Sequence, residues 1–281
     1  MRGVVLAGGL GSRLYPLTFA TSKQLLPVFD KPLIYYPVAN LIELGIIDIT
    51  IVSDSRSLLT FRDLLGDGDD FGVCFTYKVQ EAPLGISHGL LQARNNSEED
   101  VVLILGDNIF IGAISQILDN ELNKSPNFIT SIPSSHPEDF GVAVFDEQDE
   151  LIDLLEKPLQ PESNWIVPGL YKYNSEVFEK ISKMKPSERG EFEITDLNRE
   201  LLISNNLVCM KLDKSVTWFD CGSHKDLLMA ANFIQQVQEE NNSLYGSPHL
   251  EAARRGVDIS KASYFSSKSS YFINLRKLLI D

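Results

Sequence analysis

Three glycines crowd the turn after the first apolar run, Leu6-Ala7-Gly8-Gly9-Leu10-Gly11-Ser12-Arg13-Leu14, with Lys23 and Pro27 downstream. Glycine admits positive φ and close backbone approach, so the N–H groups of Gly8, Gly9 and Gly11 can point at one anion while Arg13 and Lys23 bring positive charge. The pattern suits a phosphate cradle, although three glycines alone suit an ordinary turn equally well. It lacks the G-K-[ST] of a Walker A loop, and G-G-L-G-S-R does not satisfy G-x-G-x-x-G.

Two carboxylates form a second candidate set. Asp107 follows the apolar run at 101–105 and Asp220 follows Trp218-Phe219, each at a predicted strand end. Either Asp alone reads as a turn cap. Together they suit Mg²⁺, which takes one or two carboxylates and completes its shell with substrate phosphates. Glu156-Lys157-Pro158 sets a carboxylate beside an ammonium, which on a strand would point to opposite faces; by itself this reads as a hairpin end. His88, His136, His224 and His249 show no ligand spacing and read as structural or surface residues, and Tyr35, Tyr36 and Trp165 as packing residues.

These residues need a scaffold that brings strand ends together. Apolar strand-like runs at 3–7, 49–53, 74–80 and 101–105 alternate with helix-like stretches at 35–45, 58–65 and 85–93, a βαβ rhythm. Uniformly apolar strands belong in a parallel sheet covered on both faces, and such sheets bind ligands beyond their strand C-terminal ends. After about residue 140 the pattern becomes hairpin-like, with strands at 141–146 and 151–156 about a turn at 147–150. One further strand is expected over 165–173, helices over 176–184 and 195–204, closing strands at 208–212 and 218–220, and a long amphipathic helix over 225–240. The fold class expected is α/β: a mixed, mostly parallel central sheet flanked by helices, Rossmann-like, with a small C-terminal helical part. The tail at 260–270 has no clear period and reads as loop or a loosely held terminus.

Composition narrows the function. The sequence has 281 residues, 43% of them hydrophobic, enough for a large core without staples. A formal charge of −14, from 25 basic and 39 acidic residues, argues against a nucleic-acid partner. Cys74, Cys209 and Cys221 show neither disulfide pairing numbers nor C-x-x-C spacing, and no apolar run is long enough for a bilayer, so a cytoplasmic location without a membrane partner is expected.

At residues 6–13, in Lys23-Gln24-Leu25-Leu26-Pro27 and in Lys31-Pro32-Leu33-Ile34-Tyr35-Tyr36-Pro37, the chain resembles the sugar nucleotidyltransferases, most of all their glucose-1-phosphate thymidylyltransferase branch. The resemblance continues through Leu105-Gly106-Asp107-Asn108, Glu156-Lys157-Pro158, Gly169-Leu170-Tyr171, Arg189-Gly190-Glu191, Glu193-Ile194-Thr195-Asp196 and Trp218-Phe219-Asp220-Cys221-Gly222. It covers roughly residues 1–240, which it marks as the nucleotidyltransferase domain, with a nucleotide half at about 1–140 and a sugar-phosphate half at about 141–240; residues 241–281 are a segment of uncertain structure. Two positions depart from the family pattern: Leu84 stands where an acidic residue is usual, and Pro168 where a threonine is.

The resemblance implies substrates, dTTP and glucose 1-phosphate, and a product, dTDP-glucose, that leads toward dTDP-deoxysugars such as dTDP-rhamnose. It implies that Leu6, Gly8, Gly9, Gly11, Ser12, Arg13, Lys23, Gln80, Gly85 and Asp107 meet the nucleotide, with Gln80 against the pyrimidine edge. Gly141, Glu156, Lys157, Val167 and Arg189 meet the sugar phosphate, Asp107 and Asp220 hold Mg²⁺, and Arg13, Lys23 and Lys157 balance charge during in-line attack on the α-phosphorus. That chemistry requires no general base, since a phosphate monoester is already anionic. A homo-oligomer, tetrameric by the same resemblance, is expected. Uridylyl or cytidylyl transfer on the same scaffold, or a non-catalytic nucleotide-binding homologue, are the rivals.

Overall fold

The strand β1 (Arg2–Leu6) is buried along its whole length, and its side chains alternate between two cores. Val5 packs with one apolar cluster, and Val4 and Leu6 with another on the opposite face of the sheet. The computed structural model describes residues 1–95, 97–112, 114–262 and 264–280. After β1 come a short hairpin, β2 (Pro27–Val28) and β3 (Lys31–Pro32), then α1 (Tyr35–Glu43), β4 (Asp48–Ser53), α2 (Ser55–Leu65), β5 (Cys74–Val79), α3 (Ile86–Gln92) and β6 (Val101–Leu105). β6, β1, β4 and β5 lie side by side and parallel, in register Leu105–Leu6–Val52 across the ends of the first three. This is the βαβ core expected from the apolar runs.

The sheet then turns antiparallel. β7 (Asn108–Ile111), α4 (Ile114–Lys124) and β8 (Phe128–Pro133) lead into β9 (Gly141–Phe145) and β10 (Leu151–Glu156), followed by β11 (Trp165–Val167), β12 (Leu170–Tyr173), α5 (Val177–Lys183), α6 (Ile194–Ile203), β13 (Val208–Lys211), β14 (Thr217–Asp220) and α7 (His224–Asn241). The main sheet runs β10-β9-β11-β8-β12-β6-β1-β4-β5, with β13 also on β8, while β7 and β14 pair separately beneath the strand ends. The result is the expected mixed sheet with a parallel core and helices on both faces.

The single strand expected over 165–173 is two. Pro168 lacks a ladder donor and sits between β11 and β12, so the chain bends there and the two pieces reach different neighbours: Ile166 pairs with Val142, and Leu170 with Ile104. Between 109 and 140, where no element was expected, the chain forms β7, α4 and β8. β8 hides from a periodicity search because its buried stretch includes Thr130 and Ser131; the Thr130 hydroxyl donates to the Leu170 carbonyl at 3.0 Å.

The tail is ordered into α8 (Pro248–Arg254) and α9 (Ser270–Leu278), which share an apolar cluster of Leu244, Leu250, Ile259, Tyr271 and Leu275. His249 is 3% exposed and ringed by Tyr35, Phe71, Tyr271 and Phe272, with Nδ1 2.9 Å from the Tyr271 hydroxyl. Burial pulls its pKa down to about 4, against a smaller upward pull from Asp70. A depressed histidine stays neutral in the fold while the unfolded chain takes a proton below about 6.5, so its contribution is complete above that pH and is lost as the pH falls toward 4. Wild type should therefore lose roughly 2–3 kcal/mol more stability between pH 7 and 4.5 than His249→Phe does. Denaturant melts at the two pH values check this, and parallel losses in the two proteins would contradict it.

Candidate functional site

The strand ends converge on a cavity of about 880 Å³. Leu6, Gly8, Gly9 and Arg13 approach from the turn after β1, and Asp107 from the turn after β6. Asp220 comes from the end of β14, opposite Asn108 on β7, and the Cys221 N–H donates to the Asp107 carbonyl at 3.0 Å, which holds the two acidic turns together. Gln80 and Gly85 line the same cavity, as do Gly141, Glu156, Lys157, Val167 and Arg189.

Of the residues expected at the nucleotide, Gly11, Ser12 and Lys23 do not line this cavity. Gly9 and Gly11 have φ of 105° and 58°, as the cradle requires, but Gly8 is not in the left-handed region. Its lack of a side chain serves close approach instead: a Cβ there would lie 3.2 Å from Gln80 Oε1. Gly85 answers a different demand. At φ 98°, it lets the 191–192 backbone pass within 2.8 Å of where its Cβ would be, and the Phe192 N–H donates to the Leu84 carbonyl at 2.8 Å. The loop carrying Arg189 is thereby latched to the Gln80 end.

Lys23 lies behind Asp107. Its side chain is 10% exposed and Nζ forms an ion pair and hydrogen bond with Asp107 Oδ2. Burial alone would lower the Lys23 pKa and raise that of Asp107. The attraction between the two charges outweighs burial in both, so the lysine is held above and the aspartate below its ordinary value. Asp220 has no such brace. Burial first, then the Asp107 charge, push it up to about 6, against weaker pulls from Lys23 and Arg13, whose guanidinium reaches over Gly222 beside it. Two adjacent carboxylates with one buried lysine leave room for a divalent cation. Among the described residues no cluster of three or more His, Cys, Asp or Glu could hold a metal, so water and phosphate oxygens of a substrate would complete the shell.

The register of β9, β10 and β11 places Gly141 beside both Glu156 and Val167. Glu156 Oε2 accepts a hydrogen bond from the Thr195 hydroxyl, and Oε1 accepts from Arg189 Nη2 at 3.1 Å. Arg189 also donates to Glu193 at 2.9 and 3.1 Å, so its charge is engaged by carboxylates on two sides. Lys157 is more open: Nζ is 3.9 Å from Glu156 Oε1 and the side chain is 48% exposed. Its φ of 43° at the end of β10 turns it off the strand path.

Several wall residues were given no role from the sequence. Asn108 Oδ1 accepts from the Gly169 N–H at 3.0 Å and from Trp218 Nε1 at 2.7 Å, tying the bend at Pro168 to β14. Thr195 and Glu193 brace Glu156 and Arg189. All four of Asn108, Glu193, Thr195 and Trp218 lie inside quoted motifs, which was the signal available. His136, read as structural or surface, is at the rim of the cavity, while Tyr36 and Trp165 are packing residues as expected.

The family model for nucleotidyl transferases matches residues 2–237, a span that holds every site residue above. The chain belongs to the nucleotidyltransferase family. Within it, the chain is 42% identical to the glucose-1-phosphate thymidylyltransferase of Neisseria meningitidis over 86% of its own length and 85% of the relative's. It is 39% identical to the Mycobacterium tuberculosis protein of the same name over 98% and 99%. A solved Bacillus anthracis chain, named for the same activity and in complex with a sucrose, superimposes with a TM-score of 0.78 at 39% identity, covering 83% of this chain and 94% of that one. The brace on Asp107 should be measurable. Lys23→Met should cost about 2 kcal/mol by leaving Asp107 without its cation, and adding Asp107→Asn should restore most of it. A double-mutant cycle of thermal melts reads the coupling; additive losses would show that the pair is not coupled.

Proposed function

We propose that the chain transfers a thymidylyl group from dTTP to glucose 1-phosphate, giving dTDP-glucose and pyrophosphate, with Mg²⁺ as cofactor. The observation that carries this is that one cavity brings together an amide beside close glycine backbone (Gln80, Gly8, Gly85), the carboxylates Asp107 and Asp220, and Glu156 beside the open Lys157. The names of the relatives supply the choice of base and sugar.

A phosphate oxygen of glucose 1-phosphate attacks the α-phosphorus in line; the new P–O bond forms as the bond to the β-phosphate breaks, and pyrophosphate leaves with that electron pair. Asp107 and Asp220 would hold Mg²⁺, which when bound supplies Lewis-acid charge neutralisation on the phosphate oxygens. Lys23 keeps Asp107 ionised. Arg13, beside Asp220, provides positive charge for the phosphates, and Lys157 receives the sugar phosphate next to Glu156, whose carboxylate accepts from sugar hydroxyls. With a phosphate nucleophile already anionic, positioning and electrostatics carry the reaction. The same kinship supports a cytoplasmic homo-oligomer whose product feeds dTDP-deoxysugars such as dTDP-rhamnose.

Pyrophosphate release measured with glucose 1-phosphate and a panel of triphosphates tests this reading. Turnover should need Mg²⁺, vanish with a chelator, and fall by about two or more orders of magnitude in Asp107→Asn and Asp220→Asn. dTTP should be preferred over UTP by roughly 10- to 200-fold, since one methyl separates them. Preference for UTP, CTP or ATP would overturn the thymidylyl reading, and binding without turnover would favour a non-catalytic homologue.

Lys157→Ala should raise KM for glucose 1-phosphate by about 10- to 100-fold, the worth of a charged hydrogen bond, with a much smaller effect on KM for dTTP. Steady-state kinetics with each substrate varied in turn check this. Equal changes in the two constants would remove Lys157 from the sugar-phosphate end.

A further inference from the structure

Gln80 is held from behind by two groups. Its Nε2 lies 3.2 Å from the Gly85 carbonyl oxygen and 3.1 Å from His88 Nδ1. A peptide carbonyl can only accept, so the atom facing it must be the NH₂, whatever the tautomer of the imidazole, and Oε1 must point away. Oε1 emerges between Gly8 and Gly89, at 3.2 and 3.1 Å from where their Cβ atoms would lie. Gln80 lines the cavity there, and among the described residues its oxygen accepts no hydrogen bond.

His88 is fixed in its turn. On α3 its ring stacks on Phe192, with centroids 6.0 Å apart and planes 26° from parallel. Phe192 belongs to the loop latched to Leu84, so the ring has little freedom to leave. Taking the second N–H of the Gln80 amide at Nδ1 leaves the ring proton on Nε2, toward Gln92 at 3.3 Å. Gln92 Nε2 donates to the His88 carbonyl at 3.1 Å and so presents an N–H, not an acceptor, to the ring; the closer approach, Gln80 at 3.1 Å against Gln92 at 3.3 Å, makes Nδ1 the accepting nitrogen.

We propose that His88 is a positioning residue for base selection: it locks the Gln80 amide with its oxygen toward the base, so that the pocket selects a pyrimidine carrying an N3–H and rejects cytosine. This rests on the reading that the nucleotide base lies at Gln80. Thymine and uracil offer a donor at N3, which a fixed amide oxygen accepts. Cytosine in the same pose offers a lone pair at N3, and two acceptors then face each other with no compensating bond. An amide free to rotate would present its NH₂ and accommodate cytosine. The lock, rather than the glutamine alone, confers the choice.

The test compares kcat/KM for dTTP, UTP and dCTP with glucose 1-phosphate in wild type, His88→Phe and His88→Asn. Phenylalanine keeps the stacking on Phe192 and lacks the acceptor; asparagine keeps an acceptor about where Nδ1 lies. The dTTP-to-dCTP ratio should fall about fivefold or more in His88→Phe, the worth of one neutral hydrogen bond, and return toward wild type in His88→Asn. Should His88→Phe fail to fold, His88→Leu serves as the acceptor-free variant. A packing defect would slow both nucleotides together; an unchanged ratio in the acceptor-free variant, or an equal fall in His88→Asn, overturns the proposal. A wild type with no preference for dTTP over dCTP would instead overturn the thymidylyl reading, whatever the variants do.

Discussion

Two carboxylates set side by side where water is scarce cannot both carry charge without cations nearby, and the centre of this site is arranged around that constraint. Lys23 settles the matter for Asp107 and leaves Asp220 raised to about 6. For the pair to form at all, β1, β6 and the β7–β14 ribbon must end at one level, which the register Leu6–Leu105 and Asn108–Asp220 secures. The imbalance left on the pair is what a divalent cation with phosphate ligands would relieve.

The segments that line the cavity are joined by backbone as well as by the sheet. The bend at Pro168 lets one stretch of chain serve β9 with β8 and then β8 with β6, and Asn108 takes up the Gly169 N–H that the bend exposes. The loop of Arg189 docks on the turn at Gly85, so the segment that braces Glu156 also frames the Gln80 end.

Away from the cavity, a buried polar network ties the tail to the N-terminal hairpin. Lys31 Nζ is 2.6 Å from Asp30 and 3.1 Å from Gln238, which also accepts from the Tyr245 N–H at 3.1 Å. Burial pulls the Lys31 pKa down despite Asp30, and the ring of Tyr36 lies 4.9 Å from its ammonium.

What the sequence by itself determined is local. A uniformly apolar run such as 101–105 suits a strand covered on both faces, and a polar residue just beyond it falls at the strand end, which is how Asp107 and the glycine turn after β1 were legible. What required the tertiary structure was direction and partnership. Lys23 reads as a cation near the phosphates, and only the fold shows it paired with Asp107; Gln80 reads as a strand-end polar residue, and only the fold brings His88 on α3 to its amide. The 165–173 run looks like one strand until two different neighbours claim its halves, and α8 and α9 are short helices whose place is set by an apolar cluster and by contacts from distant segments such as Arg255 Nη1 to the Ile42 carbonyl. Periodicity records which face of an element is buried, but which side chain meets which depends on contacts between residues far apart in the chain, and these exist only once the sheet has formed.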